Sequence, residues 1–241
     1  MAVPVRIVLI DPSHPGNIGS VARAMKNMAF TDLVLVRPKS FPHPEADALA
    51  AGADDVLRAA RIVETVSEAV ADCGFIAGTT ARPRSYTWEF TTPREVAARI
   101  VALPAGSSTA LLFGSEKYGL GTDDLQYCNV LVRIPTNPEY SSLNLAMAVQ
   151  LMTYEILMAR EQPSSHLQLE QPLASARDVE YFYSHLSQVM NEIEFEDKTG
   201  HLMERLRRLF NRAQMDRNEV NIMRGLLSAV QGRRGQAPRR P

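Results

Sequence analysis

Val5-Arg6-Ile7-Val8-Leu9-Ile10 runs straight into Asp11-Pro12-Ser13-His14-Pro15-Gly16-Asn17-Ile18-Gly19. A nearly continuous apolar run that ends in small, polar and turn-forming residues reads as a strand covered on both faces, followed by a loop and a helix. The same pattern recurs at Leu33–Val36, Gly74–Ala77, Thr109–Phe113 and Val130–Ile134. Between these runs lie helix-like stretches. One is expected from about Ile18 to Met28. A second is expected from about Ser142 to Arg160, where Leu143, Met147, Leu151, Tyr154 and Met158 recur every three or four residues. Strands alternating with helices over residues 1–161 predict an α/β domain with a mostly parallel sheet.

The alternation stops at Gln162–Gln171, where Pro163, two serines and a histidine precede Pro172, and residues 162–174 read as a linker. Helices alone follow, giving an all-α extension over 175–232 and a basic, disordered tail over 233–241. Ser175 with Asp178 has N-terminal cap spacing, and Asp216 with Glu219 has capping-box spacing. The expected apolar faces are Val179/Phe182/Tyr183/Leu186/Met190, then Leu202/Leu206/Leu209, then Val220/Met223/Leu227/Val230. Charge divides along the same line. Residues 1–161 carry 14 Lys/Arg against 17 Asp/Glu, and residues 162–241 carry 12 against 10, nearly all of the cations arginine. Arg205, Arg207, Arg208 and Arg212 cluster, and four more arginines fall between 233 and 240. Such density serves either a phosphate-binding surface or a solvated helix face with a basic tail.

At 241 residues, with 45% hydrophobic and 22% charged side chains and a net charge of −1, the chain has the balance of a globular protein with a core. Disordered, collagen-like and coiled-coil classes are excluded. No apolar run approaches the ~20 residues of a membrane span. The opening residues lack the layout of a secretory signal, so a cytoplasmic location is expected. Two cysteines, Cys73 and Cys128, are too few for a disulfide framework or a zinc site and read as buried packing residues.

Ligands of open α/β sheets bind beyond the carboxyl ends of the strands. Four of those ends are rich in glycine and polar residues: Asp11–Gly19, Gly78–Arg84, Gly114–Leu120 and Pro135–Asn144. Turn chemistry explains any one of them; four on one edge point to a site. There is no dinucleotide fingerprint, P-loop, HExxH or nucleophile elbow, and no metal is expected. Ser141 and Ser142 stand beside Asn144 at a helix start, which is a capping pattern.

Asn17-Ile18-Gly19-Ser20-Val21-Ala22-Arg23 resembles the first motif of the SPOUT-superfamily RNA 2′-O-ribose methyltransferases of the SpoU-like class, N-x-G-x-x-x-R. Gly114-Ser115-Glu116-Lys117-Tyr118-Gly119-Leu120 resembles their second, and Ser142-Leu143-Asn144-Leu145-Ala146 their third. With the helical extension, the chain is most similar to the members that methylate tRNA at anticodon-loop nucleotide 32, on cytidine or uridine. The resemblance implies a SPOUT fold with a C-terminal trefoil knot, which no periodicity in the sequence would suggest. It implies S-adenosyl-L-methionine held at Thr79, Thr80, Ala81, Gly114, Glu116, Ile134, Ser141, Ser142, Leu143 and Asn144. It places catalysis on Arg23 and Ser142, and RNA contacts on Asn17, Arg23, Arg82 and Arg84. The resemblance makes Arg23 the candidate for removing the hydroxyl proton; because a guanidinium is a poor base, holding an RNA phosphate and stabilising the developing alkoxide stand beside that role as alternatives. Without the motif, Arg23 reads as a solvated helix arginine, and Arg82 and Arg84 as loop charges. The resemblance further implies a homodimer whose active site draws on both chains, with tRNA as partner. For Met147, Met152 and Met158 the alternatives are that interface and ordinary core packing. Rival readings are a relative acting on another tRNA or rRNA ribose, and an RNA-binding module without catalysis.

Overall fold

The computed structural model describes residues 3–81, 89–161, 172–195 and 200–234. In chain order it contains β1 (Val5–Ile10), α1 (Pro15–Asn27), β2 (Leu33–Val36), α2 (Pro44–Ala50), α3 (Asp54–Ala59), β3 (Arg61–Val63), α4 (Val66–Val70) and β4 (Phe75–Thr79). There follow β5 (Phe90–Thr91), α5 (Pro93–Val101), β6 (Thr109–Phe113), α6 (Thr122–Leu125), β7 (Val130–Val132) and α7 (Leu145–Glu161). The chain then continues through α8 (Ala176–Glu192), α9 (Leu202–Ala213) and α10 (Arg217–Arg234).

The seven strands form one sheet in the order β3-β2-β1-β6-β4-β7-β5, and every pairing is parallel. The all-parallel arrangement explains the continuous apolar runs, because both faces are covered. One face packs on α1, α2, α3, α5 and α7, with Ile7, Leu9, Leu35, Leu111 and Phe113 pointing into that layer. The other packs on α4 and α6 through Val8, Ile10, Val34, Ile76 and Leu112. Cys73 and Cys128 are buried in this second layer as expected, and burial pushes both thiols up, that of Cys73 to about 12.

The register sets the carboxyl ends side by side: Ile10 opposite Val36, Leu9 opposite Phe113, and Thr79 opposite Val132. β7 is hydrogen-bonded between β4 and β5, although β4 and β5 are consecutive in sequence. The chain leaving β7 therefore emerges between two strands that residues 80–89 join directly. Whether it closes the expected knot turns on residues 82–88, which lie outside the described residues.

Several element boundaries differ from the expected ones. α1 begins at Pro15, three residues early, because proline suits a first helical position and its missing N–H costs nothing there. β4 extends to Thr79, whereas β7 stops at Val132 and releases Ile134 from the ladder. α7 starts at Leu145, where the Asn144 side chain accepts a bond from the Ala146 N–H (2.8 Å). Its inner face is Leu145, Val149, Met152 and Ile156, not the expected stripe. Met147, Leu151 and Tyr154 are exposed instead. Met152 is thus a core residue, and Met147 faces outward.

The extension is helical, with the Ser175 and Asp216/Glu219 caps in place. Phe182, Tyr183, Met215 and Val220 form its core, against which Met203, Phe210, Met223 and Leu227 pack. The expected Leu202/Leu206/Leu209 face is corrected: Leu209 is exposed, and Met203 and Phe210 do the packing. Val230 is exposed as well. α10 runs to Arg234; of the tail placed at 233–241, residues 235–241 lie outside the described residues. So do residues 162–171 of the expected linker.

Candidate active site

A cleft of about 380 Å³ opens at the carboxyl ends of β4, β6 and β7. Thr79, Thr80 and Ala81 form one wall as the chain leaves β4. Residues 114–119 after β6 form the second, and Ile134 with Ser141, Ser142 and Leu143 after β7 forms the third. Phe113, Leu145 and Ala148 complete an apolar floor. The volume suits a small organic ligand, and apolar walls with a few polar edges are the usual make-up of such sites. Nine of the ten residues expected to hold the cofactor line this one space; Asn144 stands just outside it.

The second wall is a tight reversal. Ser115 and Gly119 bridge in antiparallel fashion, the Gly119 N–H donates to the Ser115 carbonyl at 2.8 Å, and Gly119 has φ +67°. Gly114 must stay bare, because a Cβ there would collide with the backbone of Gly119 and Leu120.

Beside the cleft, one polar side chain from each of the three motifs joins a single chain of hydrogen bonds. The Asn144 amide donates to Asn17 Oδ1 at 3.0 Å, and Asn17 Nδ2 donates to Glu116 Oε1 at 2.9 Å. The other carboxylate oxygen of Glu116 accepts from the Ser13 N–H at 3.0 Å and the Ser13 hydroxyl at 2.7 Å. Asn17 and Glu116 therefore spend their side chains on each other and on the α1 entry. What Glu116 turns to the cleft is its place in the loop and not a free carboxylate. Ser13 was not singled out from the sequence, although it lies in the first polar loop.

Burial pushes the Glu116 carboxyl up, but the bonds from Asn17 and Ser13 outweigh it and hold the group down at about 2. Its contribution to stability is thus complete above about pH 4.5, the ordinary glutamate range, and is lost as the pH falls toward 2. Glu116→Gln is expected to flatten that acid limb and to lower the thermal midpoint at pH 7 by several degrees. Hydrogen bonds to a charge contribute about 1.5–3 kcal/mol, and each kcal/mol moves the midpoint by about 2–4 °C at this size. Thermal melts of both proteins from pH 2 to 7 check it; superimposable acid limbs would contradict it.

The loop after β2 joins the same edge, although no glycine marks it in the sequence. Arg37 pairs with Asp11 through two bonds of 2.9 and 3.0 Å, and the Lys39 N–H donates to the Pro12 carbonyl at 3.1 Å. Arg23 is exposed on α1 and does not line the cleft. Among the described residues it has no hydrogen-bonding or ion-pair partner. Ser141 and Ser142 are exposed at the cleft mouth. Arg82 and Arg84 lie outside the described residues. No group of His, Cys, Asp and Glu able to hold a metal occurs among the described residues, and no helix there is long and apolar enough to cross a membrane.

A parallel sheet with a three-walled cleft on its carboxyl edge, closed by the Asn17–Glu116–Asn144 chain, is the architecture of an RNA methylase. The sequence profile of the SpoU rRNA Methylase family matches residues 4–154, and the chain belongs to that family. Within it, residues 177–240 match the C-terminal domain of the tRNA methyltransferase TrmJ. The tRNA (cytidine/uridine/adenosine-2′-O-)-methyltransferase TrmJ of Pseudomonas aeruginosa is 46% identical over 240 residues, covering 94% of this chain and 93% of its own. The tRNA (cytidine/uridine-2′-O-)-methyltransferase TrmJ of Photorhabdus laumondii is 48% identical, covering 94% and 96%. The crystal structure of TrmJ from Z. mobilis ZM4 superposes with a TM-score of 0.83 at 36% identity, covering 95% of this chain and 100% of that one.

Proposed function

We propose that the chain is an S-adenosyl-L-methionine-dependent tRNA 2′-O-ribose methyltransferase that acts on cytidine or uridine at nucleotide 32 of the anticodon loop. The observation that carries this reading is the meeting of Asn17, Glu116 and Asn144 beside one cleft, in a chain whose relatives over nearly its full length bear that activity.

The cleft suits S-adenosylmethionine. Ile134, Leu143, Leu145 and Ala148 offer an apolar slot for adenine, and Thr80, Ser141 and Ser142 offer polar edges for the ribose and methionine ends. The bound cofactor supplies a methyl group already activated on a sulfonium. The protein then has to hold a ribose 2′-hydroxyl in line with that methyl and help its proton leave. Ser142, exposed at the mouth, is placed to touch the incoming nucleotide. Arg23 is not in its own chain's cleft, and α1 packs along α7, whose outward stripe of Met147, Leu151 and Tyr154 is left exposed by the described residues. An exposed apolar stripe on α7, and on α1 an arginine with no partner among the described residues, support a homodimer in which α7 is buried and Arg23 reaches the partner's cleft. There it orients an RNA phosphate or stabilises the alkoxide. Arg82 and Arg84 contact the RNA backbone beside the cofactor loop, and the helical extension adds tRNA-binding surface. The place of action is the cytoplasm, where tRNA is modified.

Mass-spectrometric mapping of ribose methylation in tRNA from a strain lacking the gene tests the assignment. The 2′-O-methyl group at nucleotide 32 is expected to disappear; an unchanged map would reject it.

A further inference from the structure

Two tyrosines stand at the mouth of the cleft. Tyr118, on the turn after β6, lines it, and Lys117 Nζ lies 5.0 Å from the centre of its ring. Tyr140 precedes Ser141 of the third wall and is 80% exposed. The next most exposed large apolar side chains among the described residues, Tyr118 and Ile222, reach 62%. No described residue stacks on the Tyr140 ring or sets a cation over it.

That exposure is built into the local chain. Asn137-Pro138-Glu139-Tyr140 is a β-turn, with asparagine and proline at the positions such turns favour. The Tyr140 N–H closes it onto the Asn137 carbonyl at 2.9 Å, and Asn137 Oδ1 accepts from the Glu139 N–H at 3.0 Å. Behind the turn, the Thr136 hydroxyl donates to the Ser141 carbonyl at 3.4 Å, and Asn144 is tied to Asn17. Backbone and polar bonds thus hold Tyr140 in place without packing its ring. A ring that buries so little apolar area adds little to folding, and its faces are open to a ligand.

The loop has no cation to offer a phosphate. Residues 135–144 contain no lysine or arginine, and Glu139 is exposed beside Tyr140. A carboxylate repels the RNA backbone, so a base is the part of a nucleotide this lip can receive. We propose that Tyr140 stacks against the base of the nucleotide whose 2′-hydroxyl is methylated. The proposal rests on the tRNA methyltransferase reading above. Methyl transfer requires that ribose at the cleft mouth beside Ser142, and Tyr140 is two residues away, at most ~7 Å along the chain. Unpaired loop bases are bound by stacking on aromatic side chains. Every base has a π-face, so such a platform accepts cytidine and uridine alike. Tyr140 fixes the base, and through it the ribose, without reading the base edge.

The test crosses three full-length proteins, wild type, Tyr140→Phe and Tyr140→Ala, with two tRNAs. One carries cytidine at nucleotide 32, and the other an abasic ribose that keeps its 2′-hydroxyl. On the cytidine tRNA, Tyr140→Ala is expected to lose about 5- to 150-fold in kcat/KM, the range for removing one aromatic platform from one base. Tyr140→Phe keeps the ring and stays within about twofold of wild type. On the abasic tRNA, wild type falls to the level of Tyr140→Ala, and the three proteins become equal. S-adenosylmethionine affinity and oligomeric state are the same in all three. An equal loss for Tyr140→Ala on both tRNAs, or Tyr140→Phe as poor as Tyr140→Ala, would overturn the proposal. So would a change in cofactor affinity or oligomeric state, which would make Tyr140 a cofactor or subunit contact. A wild type that methylates neither tRNA at nucleotide 32 would refute the tRNA methyltransferase reading itself, and the stacking role with it.

Discussion

Arg23→Ala is expected to bind S-adenosylmethionine within about twofold of wild type and to lose ~10²–10⁴ of its single-turnover rate, the range for removing a positioned proton-transfer or charge-stabilising group. The split follows from position. Arg23 is exposed on α1, outside the cleft of its own chain, so its removal leaves every cofactor wall intact. Arg23→Lys is expected to rescue little, because a point charge cannot hold a phosphate and face a hydroxyl as a planar fork does. Single-turnover methylation at saturating cofactor and tRNA reads the step directly. Near-wild-type rates for Arg23→Ala would make Arg23 a surface residue.

Gly114→Val is expected to abolish measurable cofactor binding in a protein that still folds. A side chain at this position stands between backbone and cofactor. The geometry adds a stronger obstacle: the new Cβ would sit within the backbone of Gly119 and Leu120, where no side chain can yield, and the whole second wall must move. Calorimetry with S-adenosylmethionine, with circular dichroism to confirm folding, checks this. Normal binding by the folded variant would remove the loop from the site. The two variants also test each other. If Arg23 serves the partner's cleft, mixed dimers of Arg23→Ala and Gly114→Val chains regain activity that neither chain has alone, and a mixture that stays inactive would contradict the shared site.

The interior strands were legible because burial on both faces writes itself into composition. β1, β2 and β6 fall at the expected residues. β3 and β5 were missed because they are edge strands of three and two residues, partly exposed and without an apolar run. Periodicity found α7 but chose its outer face, since a helix apolar on both sides gives no contrast between core and interface. In α9 the spacing of leucines suggested Leu209 for the core, whereas Met203 and Phe210 pack against Phe182, Tyr183, Met215 and Val220. Composition could not divide the arginine cluster; only the Glu180 carboxylate, 27 residues away in sequence, shows that Arg207 faces inward. The same holds in the candidate site. The motif resemblance named Asn17, Glu116 and Asn144 individually, but their mutual bonds span 99 and 127 residues and exist only once the sheet brings three loops together.

The most direct measurement uses the purified protein, S-adenosylmethionine carrying a labelled methyl group, and two tRNA transcripts that differ only in a 2′-hydroxyl or 2′-hydrogen at nucleotide 32. The predicted result is a labelled methyl on the ribose of nucleotide 32 in the first transcript and none in the second. Equal labelling of both transcripts, or label on a base, would contradict it.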